Sequence, residues 1–263
     1  MNNLPIGVMD SGLGGLSVVR MIQNKLPNES IVFVGDEGHF PYGTKPQAEV
    51  RKFVIKISKY LEQRPVKLMV IACNTATAAA LPAVKEQLKI PVIGVIHPGA
   101  EAAVKTHANV IGVIGTDSTI KDGAYEREIH KIDPTIKVIS KATQPLVAIV
   151  EHGLTETPEA QQTVNEQLSI FDKNPIDTLI LGCTHFPFLE KQIQNKIGKK
   201  VTLIDPAKET VLQIQSLLEQ NNMLSNEAPT YDLYSTGNKN DLIAGANKWL
   251  HDKYTSCTSL KLN

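Results

Sequence analysis

Leu68-Met-Val-Ile-Ala-Cys73-Asn-Thr75 and Thr178-Leu-Ile-Leu-Gly-Cys183-Thr-His185 are the two stretches on which the fold turns. Each is an apolar run, a small residue, a cysteine, and then polar residues able to open a helix. The runs do not alternate apolar with polar. Near-continuous apolar runs mark parallel strands covered on both faces. Similar runs lie at 6–9, 31–35, 92–96, 110–114, 137–139 and 202–204. Between them fall helical patterns at 16–26, 48–61, 83–88, 121–132, 158–171, 188–197 and 207–219. This alternation predicts an α/β chain with doubly wound parallel sheets. The repeat of one motif predicts internal duplication, with two similar α/β lobes that place the cysteines at equivalent points. After Asp205 the pattern reads helix, strand (231–235), helix (241–249), which returns the chain to the first lobe. The lobes are therefore 1–97 with 207–263, and 98–206. Their hinges are near His97-Pro98 and Asp205-Pro206, where proline restricts the preceding residue and ends a strand.

Length and composition agree with this reading. A chain of 263 residues makes one large or two small domains and can bury a substantial core. The 27 basic and 27 acidic residues are interspersed, so no basic patch invites nucleic acid or an anionic membrane. No apolar stretch approaches the ~20 residues of a membrane span. Residues 1–5 lead straight into a strand, without the pattern of a secretory signal. A cytoplasmic location is expected. Three cysteines, Cys73, Cys183 and Cys257, do not make a disulfide framework. No C-x-x-C or H-x-x-x-H spacing occurs, so no metal site is expected.

Open α/β sheets bind ligands outside the carboxyl ends of their strands. Those ends carry Asp10-Ser11, Cys73-Asn74-Thr75, Gly115-Thr116 and Cys183-Thr184-His185. A free cysteine is most often a small buried hydrophobe. Cys73 instead follows its strand and precedes Asn74, Thr75 and Thr77, which can cap a helix. A helix start there would lower the thiol pKa from ~8.5. Cys183 has the same placement, with His185 two residues on. Cys257, near a polar tail, has neither feature. The turn Asp10-Ser-Gly-Leu-Gly-Gly15 joins a strand to a helix. Ser17 stands where a dinucleotide fingerprint needs its third glycine, so the turn reads as a cradle for a carboxylate at a helix start. Asp10 could orient a thiol or bind an ammonium. Phe40-Pro41-Tyr42-Gly43, at the same edge, is either a surface turn or a backbone contact to a ligand.

These motifs together resemble the aspartate/glutamate racemase family. The resemblance rests on Asp10-Ser-Gly-Leu-Gly-Gly15, Pro41-Tyr-Gly43, Ala72-Cys-Asn-Thr75, Gly115-Thr116 with Thr119-Ile120, and Gly182-Cys-Thr-His-Phe-Pro187. They occur in the family's order over most of the chain. The family usually has Tyr where Phe186 stands. The resemblance implies two α/β lobes with the active site in the cleft between them, glutamate as substrate, no cofactor, and a homodimer. It implies Cys73 and Cys183 as the acid/base pair, with Asp10 supporting the first and His185 the second, and Glu151 as an acidic residue near the second. Ser11, Pro41, Tyr42, Gly43, Asn74, Thr75, Thr116, Thr119 and Thr184 would join Asp10 and His185 in holding the substrate.

Inverting an α-carbon requires proton removal on one face and delivery on the other, which two opposed thiols can do. No lysine stands at a strand end as a Schiff-base site, so the carbanion would be stabilised electrostatically in a closed cleft. An aspartate or other amino-acid racemase, a cysteine hydrolase needing one thiol, and a two-lobed amino-acid binding module are the competing readings.

Overall fold

The computed structural model describes residues 1–262. The described strands form two all-parallel sheets. One contains β1 (Ile6–Asp10), β2 (Ile31–Gly35), β3 (Leu68–Ile71) and β4 (Val92–Gly94). The other contains β5 (Val110–Gly115), β6 (Lys137–Ala142), β7 (Thr178–Gly182) and β8 (Thr202–Ile204). The C-terminal strands β9 (Tyr231–Ser235) and β10 (Ser256–Ser259) return to the first sheet. Strand orders are β10-β9-β2-β1-β3-β4 and β6-β5-β7-β8.

These orders explain why the quoted stretches matter. In the first sheet the chain leaves β1 for β2, then recrosses β1 to lay down β3. In the second it leaves β5 for β6, then recrosses β5 to lay down β7. Each sheet has a switch point, between β1 and β3 and between β5 and β7, and ligands bind outside the strand ends there. Cys73 and Cys183 therefore follow equivalent strands.

The apolar runs are continuous because each strand has two covered faces. Leu68 and Val70 join a core cluster with Leu16 of α1 (Leu16–Lys25) and Val211 of α11 (Pro206–Gln220). Met69 and Ile71 point the other way, to Val54 of α2 (Gln47–Gln63) and Ala80 of α3 (Asn74–Gln87). In β7, Leu179 and Leu181 join the first of these clusters, while Ile180 packs with Ala100 of α4 (Ile96–Val104) and Ile129 of α6 (Ala124–Ile132). Each buried Val, Leu or Ile contributes about 1.5–3 kcal/mol relative to exposure. One cluster thus includes strands of both sheets.

Several expected elements differ from those observed. The strand expected at 92–96 ends at Gly94, and Val95 already caps α4. His97-Pro98 thus lies inside the first turn of that helix, where proline's missing N–H is not needed. The helix expected at 83–88 is the end of α3, which begins at Asn74 and runs through Pro82. The helix expected at 121–132 is broken by Gly123 at φ 72° into α5 (Asp117–Asp122) and α6. The pattern at 158–171 divides into α8 (Pro158–Gln167) and α9 (Ile170–Lys173). Helix α7 (Pro145–Glu151) and strand β10 were not expected, and β6 runs three residues beyond the expected 139. α10 (Glu190–Ile197) follows a 3-10 turn at Phe186–Leu189, and α12 (Lys239–Leu250) precedes β10. The expected first-lobe span ends on Asn263, which lies outside the described residues. Among those described, no helix is long and apolar enough to cross a membrane.

Candidate active site

The two switch points face one small buried cavity. Its walls come from the ends of β1 (Ser11), β3 (Cys73, Asn74, Thr75), β5 (Thr116) and β7 (Cys183, Thr184, His185). Pro41, Tyr42 and Gly43 close one side and Gln144 and Val147 another. Its volume is about 20 Å³. That holds roughly one water, so an amino acid enters only if the lobes part.

Cys73 is the N-cap of α3. Its sulfur accepts from the Ala76 N–H at 3.4 Å and lies 3.6 Å from Ser11 Oγ. The helix start was expected to lower this thiol's pKa, and the structure reverses that. Burial pushes the Cys73 thiol up to about 12, and the nearby Asp10 carboxylate adds to the rise. The Ala76 N–H and Ser11 hydroxyl pull it down by less. Removing a thiolate from water costs more here than one helix end returns.

Asp10 lies behind the cavity, fully buried, and Ser11 rather than Asp10 bonds the Cys73 sulfur. The glycine turn does cradle a carboxylate, and it is the protein's own. The Gly12 N–H donates to Asp10 Oδ2 at 3.1 Å, and Thr184 Oγ1 stands 3.5 Å from Oδ1. Burial raises the Asp10 pKa to about 6, against the opposing pull of His185 and the Gly12 and Gly15 N–H groups. The turn must be glycine for close approach. A Cβ on Gly14 would come within 2.3 Å of Thr184 Oγ1, and one on Gly15 within 2.4 Å of Asp10 Cβ.

The second thiol has a different setting. Cys183 Sγ lies 3.5 Å from His185 Nδ1, and the other ring nitrogen bonds the Glu151 carboxylate at the end of α7. Burial would lower the His185 pKa, but hydrogen bonds to Cys183 and Glu151, with their charges, hold it at about 10. Glu151 is outside the closed cavity and lines an adjoining one of about 530 Å³ with Gly12, Phe40 and Trp249.

Three hydroxyls span the lobes. Thr75 Oγ1 is 2.9 Å from Thr116 Oγ1 and 3.1 Å from Thr119 Oγ1, and the last two are 2.9 Å apart. Thr116 lines the cavity, while Thr119 backs it. Tyr42 is a wall residue and not a surface turn; its hydroxyl is spent on Asp36. Tyr125 and Gln144 were not anticipated. Tyr125 donates to Asn74 Oδ1 at 2.6 Å from the first turn of α6, with no sequence signal. Gln144 follows β6, and locating that strand's true end at Ala142 would have put it among the candidates. Cys257 lies in edge strand β10, away from this site. Among the described residues no group of three His, Cys, Asp or Glu could hold a metal ion.

The sequence pattern of the Asp/Glu/Hydantoin racemases matches residues 6–214. The chain belongs to that family. A glutamate racemase from Limosilactobacillus reuteri is 56% identical over 264 residues, covering 100% of this chain and 99% of that protein. Among solved structures, a glutamate racemase isoform from Bacillus anthracis superposes with a TM-score of 0.96 at 42% identity, covering 100% and 99% of the two chains. The Francisella tularensis glutamate racemase, in complex with D-glutamate, gives a TM-score of 0.94 at 36% identity, again covering 100% and 99%. The family inferred from the motifs is thus the family found, and these racemases share the two-sheet α/β fold.

Proposed function

We propose that this chain is a cofactor-independent glutamate racemase in which Cys73 and Cys183 exchange protons with opposite faces of the α-carbon. One observation carries the proposal: thiols following topologically equivalent strands meet at one cavity. The relatives' names supply the substrate.

Cys73 enters the reaction as a thiol, since burial holds its pKa near 12. It is suited to give a proton. His185 carries positive charge at neutral pH and lies 3.5 Å from the Cys183 sulfur, so in this reaction it offsets the negative charge that sulfur bears before it takes the proton and becomes neutral. Asp10 and His185 act on the thiols, and Glu151 holds the imidazole through its second nitrogen. The reverse reaction swaps donor and acceptor. The carbanion between them is stabilised by fixed donors in a space too small for bulk water. The Ser11, Asn74, Thr75, Thr116 and Thr184 side chains and the Pro41–Gly43 segment hold the charged ends of the substrate, with Thr119 behind. No lysine lines the cavity, which fits a route without a Schiff base.

The lobes are read as 1–97 with 207–263, and 98–206. This division keeps β1–β4 with β9 and β10, and β5–β8 together. It leaves α4 and α11 as the crossing segments. A homodimer, a cytoplasmic location and supply of D-glutamate to peptidoglycan synthesis complete the reading.

The test is proton NMR of L-glutamate with the protein in D₂O, without added cofactor, beside Cys73→Ala and Cys183→Ala. Loss of the α-proton signal with formation of D-glutamate, abolished in either variant, is expected. No exchange with either enantiomer would refute the proposal, and the same assay with aspartate would then separate another racemase from a binding protein.

A further inference from the structure

A shielded side-chain oxygen on the cavity wall has no hydrogen-bond partner among the described residues. Gln144, between Thr143 and the start of α7, lines the cavity beside Gly43 and Thr116. Its Oε1 is shielded from solvent and takes no hydrogen bond from any described residue. It presses against the Gly43 backbone so closely that a Cβ there would lie 2.6 Å from it. Buried amides are almost always paired, so an orphan at a ligand site points to a partner that arrives with the ligand.

The neighbouring groups identify that partner. Ser11, beside the Cys73 sulfur, and Thr184, next to Cys183, line the cavity with the two thiols, between which the proposed reaction puts the α-carbon. The other end of the cavity carries Thr116, hydrogen-bonded to Thr75 and Thr119, and the Gln144 amide. That end offers neutral hydroxyl and amide donors and no fixed charge, a set suited to a carboxylate. A half-turn of the terminal torsion brings Nε2 to the place of Oε1 at little cost.

We infer that Gln144 is a specificity residue of the site, donating its amide N–H to the side-chain carboxylate of the substrate. The inference rests on the glutamate racemase reading. It adds a second contact from the lobe that already supplies Thr116, opposite Thr75 and Gly43 of the first lobe.

Racemisation kinetics of L- and D-glutamate for the wild type, Gln144→Met and Gln144→Glu test it, with circular dichroism to verify folding. Met keeps the length and removes the donor. KM is expected to rise roughly tenfold or more, with kcat changed less than about threefold, as for loss of a contact present in ground and transition states alike. Gln144→Glu keeps the shape and sets a carboxylate against a carboxylate, so its KM should rise further. A packing role would leave Glu close to wild type. Wild-type KM in either folded variant overturns the inference, and Gln144→Glu decides alone if Gln144→Met does not fold. A wild-type protein that racemises no glutamate overturns the underlying reading as well, and is visible before any variant is made.

Discussion

Cys73 and Cys183 follow equivalent strands of equivalent sheets, yet their neighbours differ in charge. Cys73 has a helix start, a serine hydroxyl and a buried carboxylate. Cys183 has an imidazole whose far nitrogen is held by Glu151. Duplication supplies the symmetry of position that a two-sided proton transfer needs. The unequal surroundings, a carboxylate near one sulfur and an imidazole beside the other, set the electrostatics of the two positions apart.

Removing either sulfur should have the largest effect. Cys73→Ala and Cys183→Ala are each expected to lower kcat by roughly 10³- to 10⁴-fold, read by circular dichroism of the product. Wild-type turnover in either one would break the comparison outright. Next come the neighbours. His185→Asn should cost roughly 100-fold and erase an alkaline limb near pH 10 set by the imidazole. Asp10→Asn should instead erase an acid limb near pH 6. Matching pH–rate profiles in the two variants would show that the settings are not different after all.

Stability sharpens the same contrast. Asp10 has a folded pKa of about 6, above its ordinary 3.8, so the unfolded chain releases this proton first. Its contribution is complete below 3.8 and is lost as pH rises through 6. Asp10→Asn should therefore be more stable than the wild type by about 3 kcal/mol at pH 8, and not at pH 3, by urea unfolding. His185 also has a raised value, about 10 against 6.5. Its contribution is complete below 6.5 and lost only through 10, so His185→Asn should be destabilised at pH 7, where Asp10→Asn is stabilised. The smallest effect is expected of Tyr125→Phe. It removes one buried hydrogen bond to Asn74, for about 1 kcal/mol by thermal unfolding.

Much of this was legible in the residues. Continuous apolar runs gave the parallel strands, because both sheet faces are covered and each run must be apolar throughout. The repeated cysteine motif located both switch points, since the strand end and the reactive residue are adjacent in sequence. Thr75, Thr116 and Thr119 were named as substrate contacts from the motif, but their mutual bonding crosses the cleft and no spacing encodes it. Helix α7 was missed because Pro145–Glu151 is too short to show a helical period. Gln144 went with it, since its strand was read as ending at 139. Strand β10 was missed because Ser256–Ser259 is an exposed edge with no apolar run.

By itself the sequence determined the fold class, the duplication and the place of two cysteines after equivalent strands, because all three are local patterns of polarity and residue type. Only the tertiary structure decided the balance of charge around those sulfurs. A helix start at Cys73 argued for a lowered pKa. Packing removed the water and brought Asp10 close, and the desolvation of a charge outweighs one N–H contact. Burial and through-space charge depend on everything the chain folds around a residue, so they are settled only when the two lobes meet.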